Sequence, residues 1–267
     1  MQTVMNFTGY LYLLIGLAGG LISGVLQASD LQREARLSSE MESNLFDGDA
    51  LRLSADATEF VNVYIEAEEE KGVVVLLHGR GYHADWELVV GPLRVILAES
   101  GWSTLSAQMP VLEKGALYYD YVKIFPKAYS RIEVIIEYLR DGGKGPIVLL
   151  AHSCGAHMAM SWIDSVGDSS IDAYIGMGMG ATDYHQDLIK PFPLNQMAVP
   201  VLDLLGSEEY SRVKAQALVR KKLLQELGHP ASTQQWVEGA DHYFHGKNEP
   251  AGKIIISWLD SLQFQSK

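Results

Sequence analysis

Short apolar runs separated by amphipathic stretches recur along most of this chain. Phe60 to Ile65 (FVNVYI) alternates apolar and polar side chains, the period of a half-buried strand. Gly72 to Leu77 (GVVVLL) is almost continuously apolar, as expected of a strand covered on both faces. The acidic run Glu66 to Glu70 between them predicts a turn. Leu88 to Ala98 reads as a helix, and Trp102 to Met109 as a strand that Pro110 ends. Ile132, Ile135, Ile136 and Leu139 fall at i, i+3, i+4 and i+7, which predicts a helix over Ser130 to Arg140, stopped by Gly142 and Gly143. Ile147 to Leu150 is another buried-strand run, followed almost at once by a helix-compatible stretch. Asp172 to Met179 and Val199 to Leu205 read as further strands. A helix around Arg212 to Leu227 ends at Gly228 and Pro230, Ser232 to Val237 forms a last strand, and Ile255, Trp258, Leu259 and Leu262 mark a final amphipathic helix. Strands alternating with helices at this pace predict an α/β fold: a doubly wound, mostly parallel sheet with helices on both faces. Such sheets bind ligands at the carboxyl ends of their strands.

The beginning of the chain breaks this rhythm. Residues 1–28 carry no charged side chain, and Tyr10 to Leu26 is almost wholly apolar, with a small-residue exit at Ala28. This reads as a secretory signal peptide. No Lys or Arg precedes Tyr10, however, and Gly16, Gly20 and Gly24 repeat at the spacing that lets membrane helices approach closely, so an uncleaved anchor is the alternative. Residues 29–54 are polar and charge-mixed without a clean period, and read as a linker leading into a first loose element. Residues 55–267 then form a single domain.

Composition narrows the function classes. The 267 residues are 48% hydrophobic and 20% charged, as in an ordinary globular protein. A net charge of −12 argues against nucleic acid or an anionic membrane surface as partner. Membrane contact is expected only through residues 1–28. One cysteine, Cys154, excludes an internal disulfide. No metal-ligand spacing and no phosphate-binding glycine loop is present, so neither metal nor cofactor is expected.

The segment carrying candidate chemistry is Ala151-His152-Ser153-Cys154-Gly155. It joins a buried strand to a helix, the setting of the nucleophile elbow, G-x-S-x-G, with Ala151 in place of the first glycine. A sharp turn there lifts the Ser153 hydroxyl above the sheet and aims the Cys154 amide at the same point. The central position belongs to Ser153, so Cys154 is assigned a backbone role. A serine needs a base, a group to orient the base, and donors for the oxyanion, and in this class they follow in the chain order Ser, acid, His. His242, in the loop after the last strand, is the candidate base, with His245 as fallback. Glu209, three residues after Gly206, is the candidate acid; Glu208 and Asp183 are alternatives, and Asp203 sits inside its strand. His78-Gly79-Arg80-Gly81 follows the buried strand, and the amide of Arg80 is the second oxyanion donor candidate. His78 is expected to pack beneath the loop and Asp85 to cap the next helix. Tyr118, Tyr119 and Tyr121 either line a pocket or cover the sheet.

Together AHSCGA, HGRG, GSEE and GADH resemble the α/β-hydrolase superfamily over about Phe60 to Leu262. LLHGRGYHADWE followed by GWSTLSAQMP resembles, more narrowly, a domain-of-unknown-function family of exported α/β-hydrolase-like proteins of Gram-negative bacteria. The resemblance implies a periplasmic location, anchored to the inner membrane if residues 1–28 stay uncleaved. It also implies Ser153 as nucleophile, His242 as base and Glu209 as acid. The expected activity is hydrolysis of a small ester, thioester or amide through an acyl-enzyme; the alternative is a non-catalytic envelope protein that keeps the fold. Thr182 to Ala198 is too short for a large lid, which predicts an open site.

Overall fold

The computed structural model describes residues 29–264 apart from Tyr184 and Lys190; the signal-peptide or anchor reading of residues 1–28 lies outside them. Eight strands form one sheet: β1 (Asp49–Ala55), β2 (Thr58–Ile65), β3 (Gly72–Leu77), β4 (Trp102–Ala107), β5 (Ile147–His152), β6 (Ala173–Met177), β7 (Val201–Gly206) and β8 (Thr233–Val237). Their spatial order is β1-β2-β4-β3-β5-β6-β7-β8. The strands from β4 to β8 in that order run parallel, while β2 is antiparallel to both β1 and β4.

Seven helices among the described residues are α1 (Leu31–Asn44), α2 (Val90–Glu99), α3 (Tyr118–Val122), α4 (Phe125–Asp141), α5 (Cys154–Val166), α6 (Ser211–Leu227) and α7 (Asn248–Ser261). The period-2 alternation of the central strands divides the core in two. Val74, Leu76, Val148 and Leu150 pack with α2 and α7 on one face. Val73, Val75, Leu77, Leu149 and Ala151 pack with α4 and α5 on the other. Burial on both faces explains why β3 and β5 read as continuous apolar runs.

The lead-in over residues 29–54 requires correction, since it is a helix and a strand rather than a linker. Asp30 caps α1 by accepting from the Arg33 N–H at 2.9 Å. The buried positions of α1 are Glu34, Ser38 and Met41, a helical spacing carried mostly by polar side chains, so no apolar stripe announces it. Glu34 forms a buried ion pair with Arg131 of α4 at 2.6 Å, and Arg131 also donates to the Gln108 carbonyl at 2.8 Å. β1 turns into β2 through Asp56 and Ala57, both with positive φ (48° and 59°), the twist a two-residue hairpin needs without its usual glycine.

The Glu34–Arg131 pair ties α1 to the body of the domain. Arg131→Ala strands a buried carboxylate and should destabilise the fold by about 3–5 kcal/mol, whereas the double change Glu34→Leu/Arg131→Met should recover most of that loss. Urea unfolding midpoints of the three proteins check this.

Candidate active site

Four loops leave the carboxyl ends of β3, β5, β7 and β8 and meet at Ser153. The elbow itself is tight: Ser153 adopts φ 53° and ψ −118°, a conformation that costs a non-glycine residue about 1–3 kcal/mol. The surroundings impose it. The Ser153 N–H donates to the Met177 carbonyl at 3.0 Å, and the Ser153 carbonyl accepts from Ala156 in the first turn of α5. A Cβ on Gly155 would lie 2.6 Å from the His78 carbonyl oxygen and 2.7 Å from that of Leu77. Only glycine lets α5 descend onto the end of β3. Ala151, in the position of the first elbow glycine, is buried in the core without displacing this geometry.

The Ser153 hydroxyl lies 2.9 Å from His242 Nε2, and His242 Nδ1 lies 2.9 Å from both carboxylate oxygens of Glu209. His242 and Glu209 are both buried. Nδ1 therefore carries the proton it donates to Glu209, which leaves Nε2 to accept from the serine. The loop that presents His242 is shaped by Asp241, whose Oδ1 accepts from the N–H groups of Tyr243 and His245 at 3.1 Å each. The acid loop packs directly against it: the Glu208 N–H donates to the Ala240 carbonyl at 2.8 Å, and a Cβ on Gly206 would sit 2.1 Å from that same oxygen. Gly178, at φ 58°, leaves room for Glu209 and His242 to meet; a Cβ there would be 2.8 Å from Glu209 Oε1.

The competing candidates go elsewhere. Glu208 is exposed. His245 pairs with Asp241 at 2.7 Å. Asp203 is buried against Arg220 and Gln234. Asp183 makes a bidentate pair with Arg80 at 2.6 and 2.7 Å and also accepts from the Tyr118 N–H. Burial pushes the Asp183 carboxyl up, but the Arg80 guanidinium and the Tyr118 N–H outweigh it and hold it below the usual carboxylate range. Asp85 is also reassigned: it pairs with Arg94 instead of capping α2, whose N-cap Val89 receives no side-chain hydrogen bond. The Cys154 thiol is pushed up to about 12 by burial, which leaves it protonated and unreactive at neutral pH.

Arg80, Ser153 and Cys154 line one small cavity of about 10 Å³, roughly the space one water requires. Thr182 and Gln186 line the same cavity, and the buried Gln186 side chain accepts from the N–H groups of Thr182 and Asp183 at 3.1 Å each. The segment's own polar groups fold it back on itself beside Ser153. Tyr118 reaches this cavity, whereas the Tyr121 hydroxyl is buried and accepts from the Leu112 N–H.

Some supporting residues carry no sequence signal. Arg33 of α1 donates to the carbonyls of Gly81, at 2.8 Å, and Leu112, bracing the loop that holds Arg80. His78 donates through Nδ1 to the Gly79 carbonyl at 2.7 Å and accepts the Met109 N–H at Nε2, the packing role expected of it. His152 donates to the His242 carbonyl at 2.9 Å, so the residue beside Ser153 also holds His242.

Residues 26–121 match a family described as a protein of unknown function (DUF3530). No curated protein matches the chain. Among solved structures, an alpha-beta serine hydrolase homologue from Coxiella burnetii superposes with a TM-score of 0.62 at 16% identity, covering 80% of this chain and 98% of that one. A serine hydrolase without a lid from Xanthomonas campestris gives 0.61 at 13% identity, covering 84% and 98%. A monoacylglycerol lipase from Paleococcus ferrophilus gives 0.54 at 17%, covering 75% and 98%. The chain has the α/β-hydrolase fold. In this hydrolase fold Ser153, His242 and Glu209 occupy the ends of β5, β8 and β7. Among the described residues no helix is long and apolar enough to cross a membrane.

Burial holds three histidines around this site neutral, His78 and His152 down to about 3 and His157 to about 4. In the unfolded chain they ionise near 6.5, so between there and about 4 the unfolded state binds more protons than the folded one. Their contribution is fully present above pH 6.5 and is lost as pH falls. The thermal midpoint should drop between pH 7.5 and pH 5, and His157→Gln should reduce proton uptake on unfolding at pH 5 by about one. Calorimetry in buffers of different ionisation enthalpy measures both.

Proposed function

We propose that this protein is a serine hydrolase that cleaves a small ester, thioester or amide through an acyl-enzyme on Ser153. The observation that carries the proposal is the continuous hydrogen-bonded array from Ser153 Oγ through His242 to Glu209. His242 Nε2 takes the serine proton as Oγ attacks the carbonyl carbon and the new C–O bond forms. Glu209 stays ionised, fixes the tautomer and stabilises the imidazolium. The amides of Arg80 and Cys154 receive the oxyanion: Cys154 is the first residue of α5, whose leading N–H groups have no partner within the helix. Collapse breaks the bond to the leaving group, which departs with the proton from His242. Water, deprotonated by the same imidazole, then attacks the acyl carbon, the bond to Ser153 Oγ breaks as Oγ takes the proton back from His242, and the acid is released.

The substrate is a small acyl compound, since the cavity at Ser153 is narrow. We place the protein outside the cytoplasm, in the periplasm, on the apolar character of residues 1–28. If that segment is retained, it anchors the domain to the inner membrane.

The full chain should react with a fluorophosphonate probe, with the adduct on the peptide carrying Ser153. Ser153→Ala should abolish labelling, and His242→Ala or Glu209→Gln should slow it by about 10²–10⁴-fold. Well-folded protein that takes no label at Ser153 would identify a non-catalytic scaffold instead.

A further inference from the structure

Beside the small cavity at Ser153 lies a second, larger hollow of about 200 Å³. Tyr118 and His157 line both, so the two spaces are separated by side chains and not by backbone. The wider hollow lies between α3, α4 and α5 and the segment after β6, with the rings of Tyr118, Phe125, Tyr129 and Phe192 among its walls. His157 stands between the Tyr118 and Phe192 rings, 4.8 and 5.1 Å from their centres. Its Nε2 donates to the Gly180 carbonyl, and burial holds the ring neutral. The hydroxyls of Tyr129 and Ser161 satisfy each other. Arg80, at the mouth towards Ser153, is already neutralised by Asp183. Among the described residues the hollow therefore offers mainly apolar and aromatic surface, with the Asp164 carboxylate in its lining and no cation to attract an anionic tail.

Resting on the reading proposed above, we infer that this hollow is the acyl-binding subsite and that it takes a neutral acyl group of single-ring size, such as phenylacetyl. The assignment to the acyl side follows from proton transfer. A leaving group must lie within reach of His242 Nε2 to collect its proton. The rings around His242 are those of His152, Tyr210 and Tyr243, a different set from the walls of the hollow. With the leaving group on that side, the acyl group projects from the Ser153 ester bond towards Tyr118 and His157. Size fits as well, since an apolar cavity of roughly 150 Å³ accepts benzene. Four aromatic walls suit a ring by edge-to-face contact.

The test compares p-nitrophenyl phenylacetate with p-nitrophenyl acetate on the full chain. Burying the extra ring should raise kcat/KM by about 10–100-fold for the phenylacetate. Val122→Phe, which fills the hollow from α3, should collapse that ratio towards one. Ile189→Trp, at an exposed position of its rim, should lower it too. Both esters are read on one preparation, so a reduced folded fraction lowers both rates and leaves the ratio intact. Turnover of both esters with a ratio near one in the unaltered protein overturns the subsite and leaves the hydrolase reading standing. A high ratio that neither variant alters overturns the placement of the acyl group in this hollow. No turnover of either ester, together with no fluorophosphonate label at Ser153, overturns the hydrolase reading itself and the subsite with it.

Discussion

The close descent of α5 onto the end of β3 sets the rest of the site. Carbonyl oxygens of Leu77 and His78 occupy the space where any side chain on Gly155 would begin. That contact holds the turn before α5 in its positive-φ form and delivers Ser153 to the loop after β3 in the same step. The strain in Ser153 is tolerable because the packing of the two buried strands and the helix over-determines it. The strained Ser153 and an amide-rich loop thus come from one packing event between elements more than 70 residues apart in sequence.

A second tight contact brings the acid and the imidazole together. Gly206 lies against the Ala240 carbonyl, so the loops after β7 and β8 have a fixed relative position before any side chain is considered. Glu209 and His242 are then buried facing each other, in the space Gly178 leaves. His152 adds a hydrogen bond to the His242 backbone, so the base is held from both the elbow strand and the acid loop. Buried polar groups of this kind contribute to a unique geometry only when their partners are in place.

The electrostatics of the site differ from those of the whole chain. The sequence is strongly acidic, yet the groups nearest Ser153 are paired or neutral. Arg80 is matched by Asp183, three histidines are kept uncharged by burial, and the lone thiol is kept protonated. Such an environment leaves little net charge beside Ser153. Arg33 extends this order outward, tying α1 to the loop that carries Arg80.

The amino-acid sequence alone determined the parallel core and the elbow, because both rest on local signals. Fully buried strands must be apolar throughout, and a strained turn must be flanked by small residues. It also singled out Glu209 and His242, since their positions follow from chain order and strand ends. It did not reveal α1, whose buried face is Glu34, Ser38 and Met41, or the hairpin at Asp56 and Ala57, whose turn lacks glycine. Only the tertiary structure decided which carboxylate faces His242. The sequence favoured Glu209 but left Glu208 and Asp183 open; in the fold Arg80 claims Asp183, while Glu209 is buried against His242. The tertiary structure likewise decided how a short segment folds beside Ser153, through Gln186 and the Arg80–Asp183 pair. Placement of that kind depends on contacts between distant residues, and no periodicity along a chain encodes it.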